Sequence, residues 1–169
     1  MRGRTLGLLG LALVAAGLAL ALYLWQVHPP GSRAANALRE TNDLRIPVDD
    51  PALIAAGAPL YREACASCHG ADLQGEANWK TPKPDGTLPA PPHDASGHTW
   101  HHPDGFLFAY TKLGGQPFMP EGRTSAMPAF GDQLSDREII AILAYIKSAW
   151  PEEVLARQQR ITDQSGAGD

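Results

Sequence analysis

The only two cysteines of the 169-residue chain, Cys65 and Cys68, are followed at once by a histidine, His69. Cys65-Ala66-Ser67-Cys68-His69 is a C-x-x-C-H pattern, the spacing of a c-type haem attachment site. The chemistry explains the spacing. Thiols held one turn apart can each form a thioether to a vinyl group of the same porphyrin, and the next side chain can turn its imidazole onto the iron. A thioredoxin-like C-x-x-C needs a strand before it, and a structural zinc site needs about four ligands. No second cysteine pair is present to complete such a zinc site. The expected cofactor is therefore one covalent haem c, held by Cys65 and Cys68, with His69 as the proximal iron ligand.

A haem iron bound on one side by histidine can be closed by a second side chain or left open, and that choice separates a carrier from a catalyst. Three methionines are present. Met1 is excluded by position, which leaves Met119 and Met127, each followed by proline. A second group of donors is His93, His98, His101 and His102, crowded into ten residues. These imidazoles can converge on copper or zinc, or simply stand in solvent. No cysteine lies in the stretch, and its one carboxylate, Asp94, does not mark a metal site by spacing.

The elements that must position these groups begin at Asp50-Pro51, an N-cap followed by proline at the first helical position. Leu53, Ile54, Gly57, Leu60, Tyr61 and Ala64 then share one helical face. Pro59 lies inside this pattern and predicts a kink or break near Ala58, because proline removes a donor from a helix interior. Residues 70–97 carry Pro82, Pro84, Pro89, Pro91 and Pro92 and predict a wrapping loop, with Leu73, Trp79 and Leu88 against the porphyrin. Pro103 opens a short helix through Phe106, Leu107, Tyr110 and Leu113 that ends at Gly114-Gly115, and Asp104 suits its start. Ser135-Asp136-Arg137-Glu138 is a capping box. It starts a final helix whose apolar face carries Ile139, Ile140, Ile142, Leu143, Tyr145, Ile146 and Trp150.

Composition fits one domain of modest size with long loops: 44% hydrophobic, 19% charged, 15 prolines and 17 glycines. Such a domain is short of apolar core, and a buried porphyrin would replace part of it. Residues 6–27 form an uncharged run of 22 residues behind Arg2 and Arg4. A helix of that length is about 33 Å long, enough for a bilayer core. Ala19-Leu20-Ala21 has the form of a cleavage site, but the apolar run continues past it through Trp25, which favours an uncleaved anchor in membrane lipid over a signal peptide. Arg2 and Arg4 would keep the N-terminus in the cytoplasm and send the rest across. Without those two arginines, 12 basic side chains face 18 acidic ones. That balance excludes nucleic acid as a partner.

The stretch from Gly57 to Gly70, with Leu60, Tyr61, Cys65, Cys68 and His69, resembles the opening helix and haem motif of class I mono-haem bacterial cytochromes c. The likeness spans roughly residues 50–150. It implies an all-α cytochrome c fold, three to four helices and long loops around one haem, which the uncharged 6–27 run would precede with an N-terminal transmembrane helix. It also implies that Trp100 and one or two of His93, His98, His101 and His102 donate hydrogen bonds to the haem propionates. It implies that Gly57 lets the last helix cross closely, with Tyr145 at the contact, and that a carbonyl of Ala90-Pro91-Pro92 accepts the far proton of His69. Ser125-Ala126-Met127-Pro128-Ala129-Phe130-Gly131 resembles the axial methionine loop, making Met127 the distal ligand and Met119 a packing residue. The organisation expected is residues 1–28 as anchor or signal peptide, 29–49 as linker, 50–150 as the cytochrome domain and 151–169 as a polar tail. The implied function is single-electron transfer, without catalysis, on the periplasmic face of the bacterial cytoplasmic membrane. A quinol-oxidising complex would be the donor and a terminal oxidase the acceptor. The competing readings are a haem with a labile sixth position acting on a small oxidant, and a histidine loop that handles copper for an oxidase.

Overall fold

The computed structural model describes residues 16–20, 22–23 and 32–167. The described residues are all-α, without strands. Helix α1 is Ser32–Glu40, α2 Pro51–Ala64, α3 Ala66–His69, α4 Asp104–Leu113, α5 Asp136–Ser148 and α6 Glu152–Gly166. Short 3-10 turns at Thr99–His101 and Gln116–Phe118 punctuate the long connections.

The expected membrane anchor is corrected. Among the described residues no helix is long and apolar enough to cross a membrane. Residues of the 6–27 run other than 16–20 and 22–23 lie outside the described residues. Single-pass anchoring, and the membrane and periplasmic location built on it, are not supported.

The frame is the crossing of α2 and α5. Asp50 caps α2 by accepting from the N–H groups of Ala52 and Leu53 at 3.0 and 3.1 Å, with Pro51 at the first turn. Ser135 and Glu138 close the capping box of α5: the Ser135 N–H donates to the Glu138 carboxylate at 2.8 Å, and the Glu138 N–H returns to the Ser135 hydroxyl. Gly57 sits at the crossing, where a Cβ would be driven into the Ala141 carbonyl and against Tyr145. The two backbones therefore meet with no side chain between them. Tyr61, Ile139, Ile142, Leu143, Ala144 and Ile146 fill the space around this contact.

Pro59 does not break α2 at Ala58. The helix runs unbroken to Ala64, and the interruption falls at Cys65, which caps α2 and starts α3. Proline inside a helix costs about 3 kcal/mol, which packing along α5 offsets.

Two stretches expected to be irregular or peripheral are built into the fold. The spacer holds α1 and buries Ala34 and Ile46, and the Thr41 hydroxyl hydrogen-bonds the carbonyls of Ala37 and Gly105. The C-terminal polar stretch forms α6 and buries Gln158 and Thr162. These segments meet at Asp104. Its carboxylate accepts from Lys147 Nζ at 2.6 Å, Gln158 Nε2 at 2.7 Å and the Ile46 N–H at 2.8 Å. Its own N–H donates to the Thr162 hydroxyl at 3.1 Å. Asp104 was expected only to suit a helix dipole; it is the hub of a buried polar cluster. Burial holds the Lys147 ammonium below the usual lysine range, while Asp104 acts in the opposite direction.

Candidate functional site

Cys65 and Cys68 are both free thiols, one buried and the other exposed, on the turn where α2 gives way to α3. Burial, and then Cys68 beside it, push the Cys65 thiol up to about 11. His69 ends α3 and is buried. Its Nδ1 lies 2.8 Å from the Pro91 carbonyl, so Nδ1 carries the proton and Nε2 is left with its lone pair. Burial lowers its proton affinity, and the Pro91 carbonyl and Glu76 act in the other direction.

The loop after the motif is folded back onto it. Glu76 accepts from the Ala90 N–H at 2.6 Å, its own N–H donates to Ala90 O, and Lys83 lies beside its carboxylate. That clasp sets Pro91 opposite His69. The Tyr61 hydroxyl donates to the Gly70 carbonyl at 2.9 Å and ties α2 to the end of the motif. Leu73 is buried, Trp79 is half-buried and Leu88 is exposed.

The second candidate ligand is set by its own loop. The Gly115 N–H donates to the Met127 carbonyl at 3.0 Å, and the Met127 N–H donates to the Ser125 hydroxyl at 3.2 Å. Tyr110 on α4 reaches the same hydroxyl at 3.4 Å. Phe106, Tyr110 and Phe118 touch ring to ring and give that side an apolar wall. Met119 caps the Gln116–Phe118 turn and, like Met127, is half-buried.

The four histidines part company. His98 stacks on Trp79 at 5.4 Å, His101 on Trp100 at 3.6 Å and His102 on Phe106 at 4.5 Å, with His98 and His102 also touching edge to face. His93 is separate and stacks on His69 at 3.9 Å with the ring planes 22° apart. Among the described residues no three His, Cys, Asp or Glu side chains are placed to hold a metal ion. The copper-handling reading therefore has no converging donor set there. The Trp100 indole donates to the Ala95 carbonyl at 3.3 Å.

Burial, and after it the neighbouring His98 and His101, hold the His102 imidazole down to about 4. His98 is lowered too, by burial first. A histidine whose folded pKa lies below its unfolded value of about 6.5 supports the fold fully above that pH. The support is lost as pH falls toward the folded value. The urea midpoint is expected to drop between about pH 7 and pH 4.5, and His102→Gln to flatten that drop. An unchanged slope in the variant would show that His102 is not responsible.

The residues present fit a covalently held haem. Two free thiols flank one turn, the adjacent buried imidazole has its Nδ1 committed and its Nε2 unprotonated, and His93 covers that ring's face. Sequence reasoning identified the motif and the Pro91 carbonyl but not Ser125, Thr99 or the His93 stack. Only the crowding of the histidines signalled the last of these.

A family model described as cytochrome C oxidase, cbb3-type, subunit III matches residues 52–146. No curated protein and no solved structure matches the chain.

Proposed function

The chain belongs to that cbb3-type cytochrome c oxidase subunit III family, and from this premise we propose that it passes single electrons through an iron held between His69 and Met127, with Cys65 and Cys68 as the thioether attachments. The family makes the protein a mono-haem bacterial cytochrome c with covalent haem c, and its chemistry haem-based electron transfer. When bound, that group supplies a one-electron iron(III)/iron(II) couple.

The observation that carries the reading is the commitment of His69 Nδ1 to the Pro91 carbonyl at 2.8 Å. That bond fixes the tautomer, presents Nε2 and strengthens the ring as a donor. A histidine and a thioether together favour the ferrous state more than two histidines do. The two ligand-bearing segments are each pinned by backbone hydrogen bonds, His69 through its N–H to the Cys65 carbonyl and Met127 through Gly115. Side chains held this way would keep their places in both oxidation states of a bound haem, and the reorganisation that each transfer requires would be small. The partners that follow are larger respiratory redox proteins, a quinol-oxidising complex as donor and a terminal oxidase as acceptor.

Absorption spectra of the purified holoprotein and of Met127→Ala test the ligand set. The wild type is expected to be low-spin in both oxidation states, with a sulfur-to-iron band that the variant loses. A high-spin wild type that binds cyanide rapidly would overturn the carrier reading and favour a labile sixth position. A band that survives in Met127→Ala but disappears in Met119→Ala would reassign the ligand.

A further inference from the structure

His93 is the most tightly gripped side chain near the motif. Its ring lies flat on His69, with centroids 3.9 Å apart and planes 22° apart, and Tyr61 of α2 meets it edge-on at 6.1 Å. Its Nδ1 is 2.9 Å from the Thr99 hydroxyl. Its N–H donates to the Leu73 carbonyl at 2.7 Å, and its carbonyl accepts from the Trp150 indole N–H, also at 2.7 Å. The ring is thus met by His69, Tyr61 of α2 and the Thr99 hydroxyl, while the residue's backbone is held by the Leu73 carbonyl and the Trp150 indole.

One of those holds is made under strain. Leu73 has φ +65, a left-handed conformation that a bulky residue adopts at a cost of about 1–3 kcal/mol. In that conformation its carbonyl accepts from both His93 and Asp94. That carbonyl fixes the backbone from which the His93 side chain projects.

The hydrogen bond to Pro91 restrains rotation of His69 about Cβ–Cγ, but a hydrogen bond weakens steeply only once its angle falls below about 120°, so some swing of the ring plane is left. A second flat surface at stacking distance removes that swing. We propose that His93 is a positioning residue for the proximal ligand: it sets the rotation of the His69 ring about its Cβ–Cγ bond, and so the direction in which that ring's plane projects onto the porphyrin. The proposal rests on His69 being the iron ligand. In low-spin ferric haem the plane of the axial imidazole decides how unpaired spin is shared among the pyrroles. The ring-methyl proton shifts and the anisotropy of the electron paramagnetic resonance spectrum therefore report it directly.

The test uses the holoprotein with His93 replaced by alanine, leucine or phenylalanine. His93→Ala is expected to redistribute the ring-methyl shifts and to lower the reduction potential, because solvent admitted to the face of His69 favours the more charged ferric state. His93→Phe restores a flat surface and is expected to return the methyl pattern toward that of the wild type. His93→Leu fills the volume without a plane and should behave like alanine. If leucine rescues as well as phenylalanine, His93 is only packing and the proposal fails. It fails equally if alanine leaves the pattern unchanged. Should His93→Ala not retain haem, Thr99→Val releases the ring from its hydroxyl partner at constant volume; a smaller redistribution in the same methyls is expected, and an unchanged pattern would overturn the assignment. A wild-type spectrum with no hyperfine-shifted imidazole protons would instead overturn the ligand reading on which the proposal stands.

Discussion

Lys147→Met is expected to destabilise the protein by about 3–5 kcal/mol, the usual cost of leaving one member of a buried ion pair without its partner. Lys147 and Asp104 have side-chain exposures of 1% and 3% at a separation of 2.6 Å. Neither charge can turn to water when the other is removed. With domain stabilities of about 5–15 kcal/mol, one such loss can take most of the margin. Urea unfolding of the holoprotein, monitored by circular dichroism, measures it. The double variant Asp104→Asn, Lys147→Met is expected to cost less than the sum of the single changes, because the second substitution removes the stranded charge. It does not restore full stability: the Gln158 amide and the Ile46 N–H still point at the position, and asparagine offers them a single acceptor oxygen. A cost below about 1 kcal/mol for Lys147→Met would mean that the carboxylate finds compensation elsewhere.

Gly57→Val is expected to be the most damaging change on α2. Two effects oppose each other at this position. Alanine in place of a helical glycine gains about 1 kcal/mol of propensity, and overpacking commonly costs about 1–3 kcal/mol. Here the obstruction is the backbone carbonyl of Ala141 rather than the tip of a mobile side chain. Relief requires the two helices to move apart, which opens the contacts among Tyr61, Ile139 and Ile142. The overpacking term therefore wins. Gly57→Ala is expected to lose about 2 kcal/mol and Gly57→Val more. Thermal unfolding of both variants tests this. A Gly57→Ala protein as stable as the wild type would show that the crossing can widen without penalty. Because α2 runs into Cys65, the same displacement should loosen the motif and slow haem attachment.

Much of this frame was legible in the residues. Asp50-Pro51 and the Ser135–Glu138 box carry their helix starts in local chemistry, and both form as read. Gly57 was legible through the likeness to class I cytochromes c, in which a glycine at this position lets the last helix cross closely. The C-x-x-C-H pattern carries its own chemical meaning and needs no tertiary information. What was not legible depends on partners distant in sequence. Ile46, Asp104, Lys147, Gln158 and Thr162 meet only when α1, α4, α5 and α6 assemble, and no local periodicity encodes the meeting. Lys147 did leave a trace: it lies four positions after Leu143 on the apolar face of α5, where a lysine requires a buried partner. His93 was visible as one of four crowded histidines, but its separation from the other three arises from the fold of the 70–97 loop, which has no repeating pattern.

The Asp104 cluster also says what size of object carries the electron. The matched span contains Asp104, whereas Ile46, Lys147, Gln158 and Thr162, which meet it there, all lie beyond it. Cut to residues 52–146, the chain would keep a buried carboxylate and lose the donors that neutralise it. The cooperative unit is therefore wider than the region the family shares. The outer helices work as a closure over the start of α4.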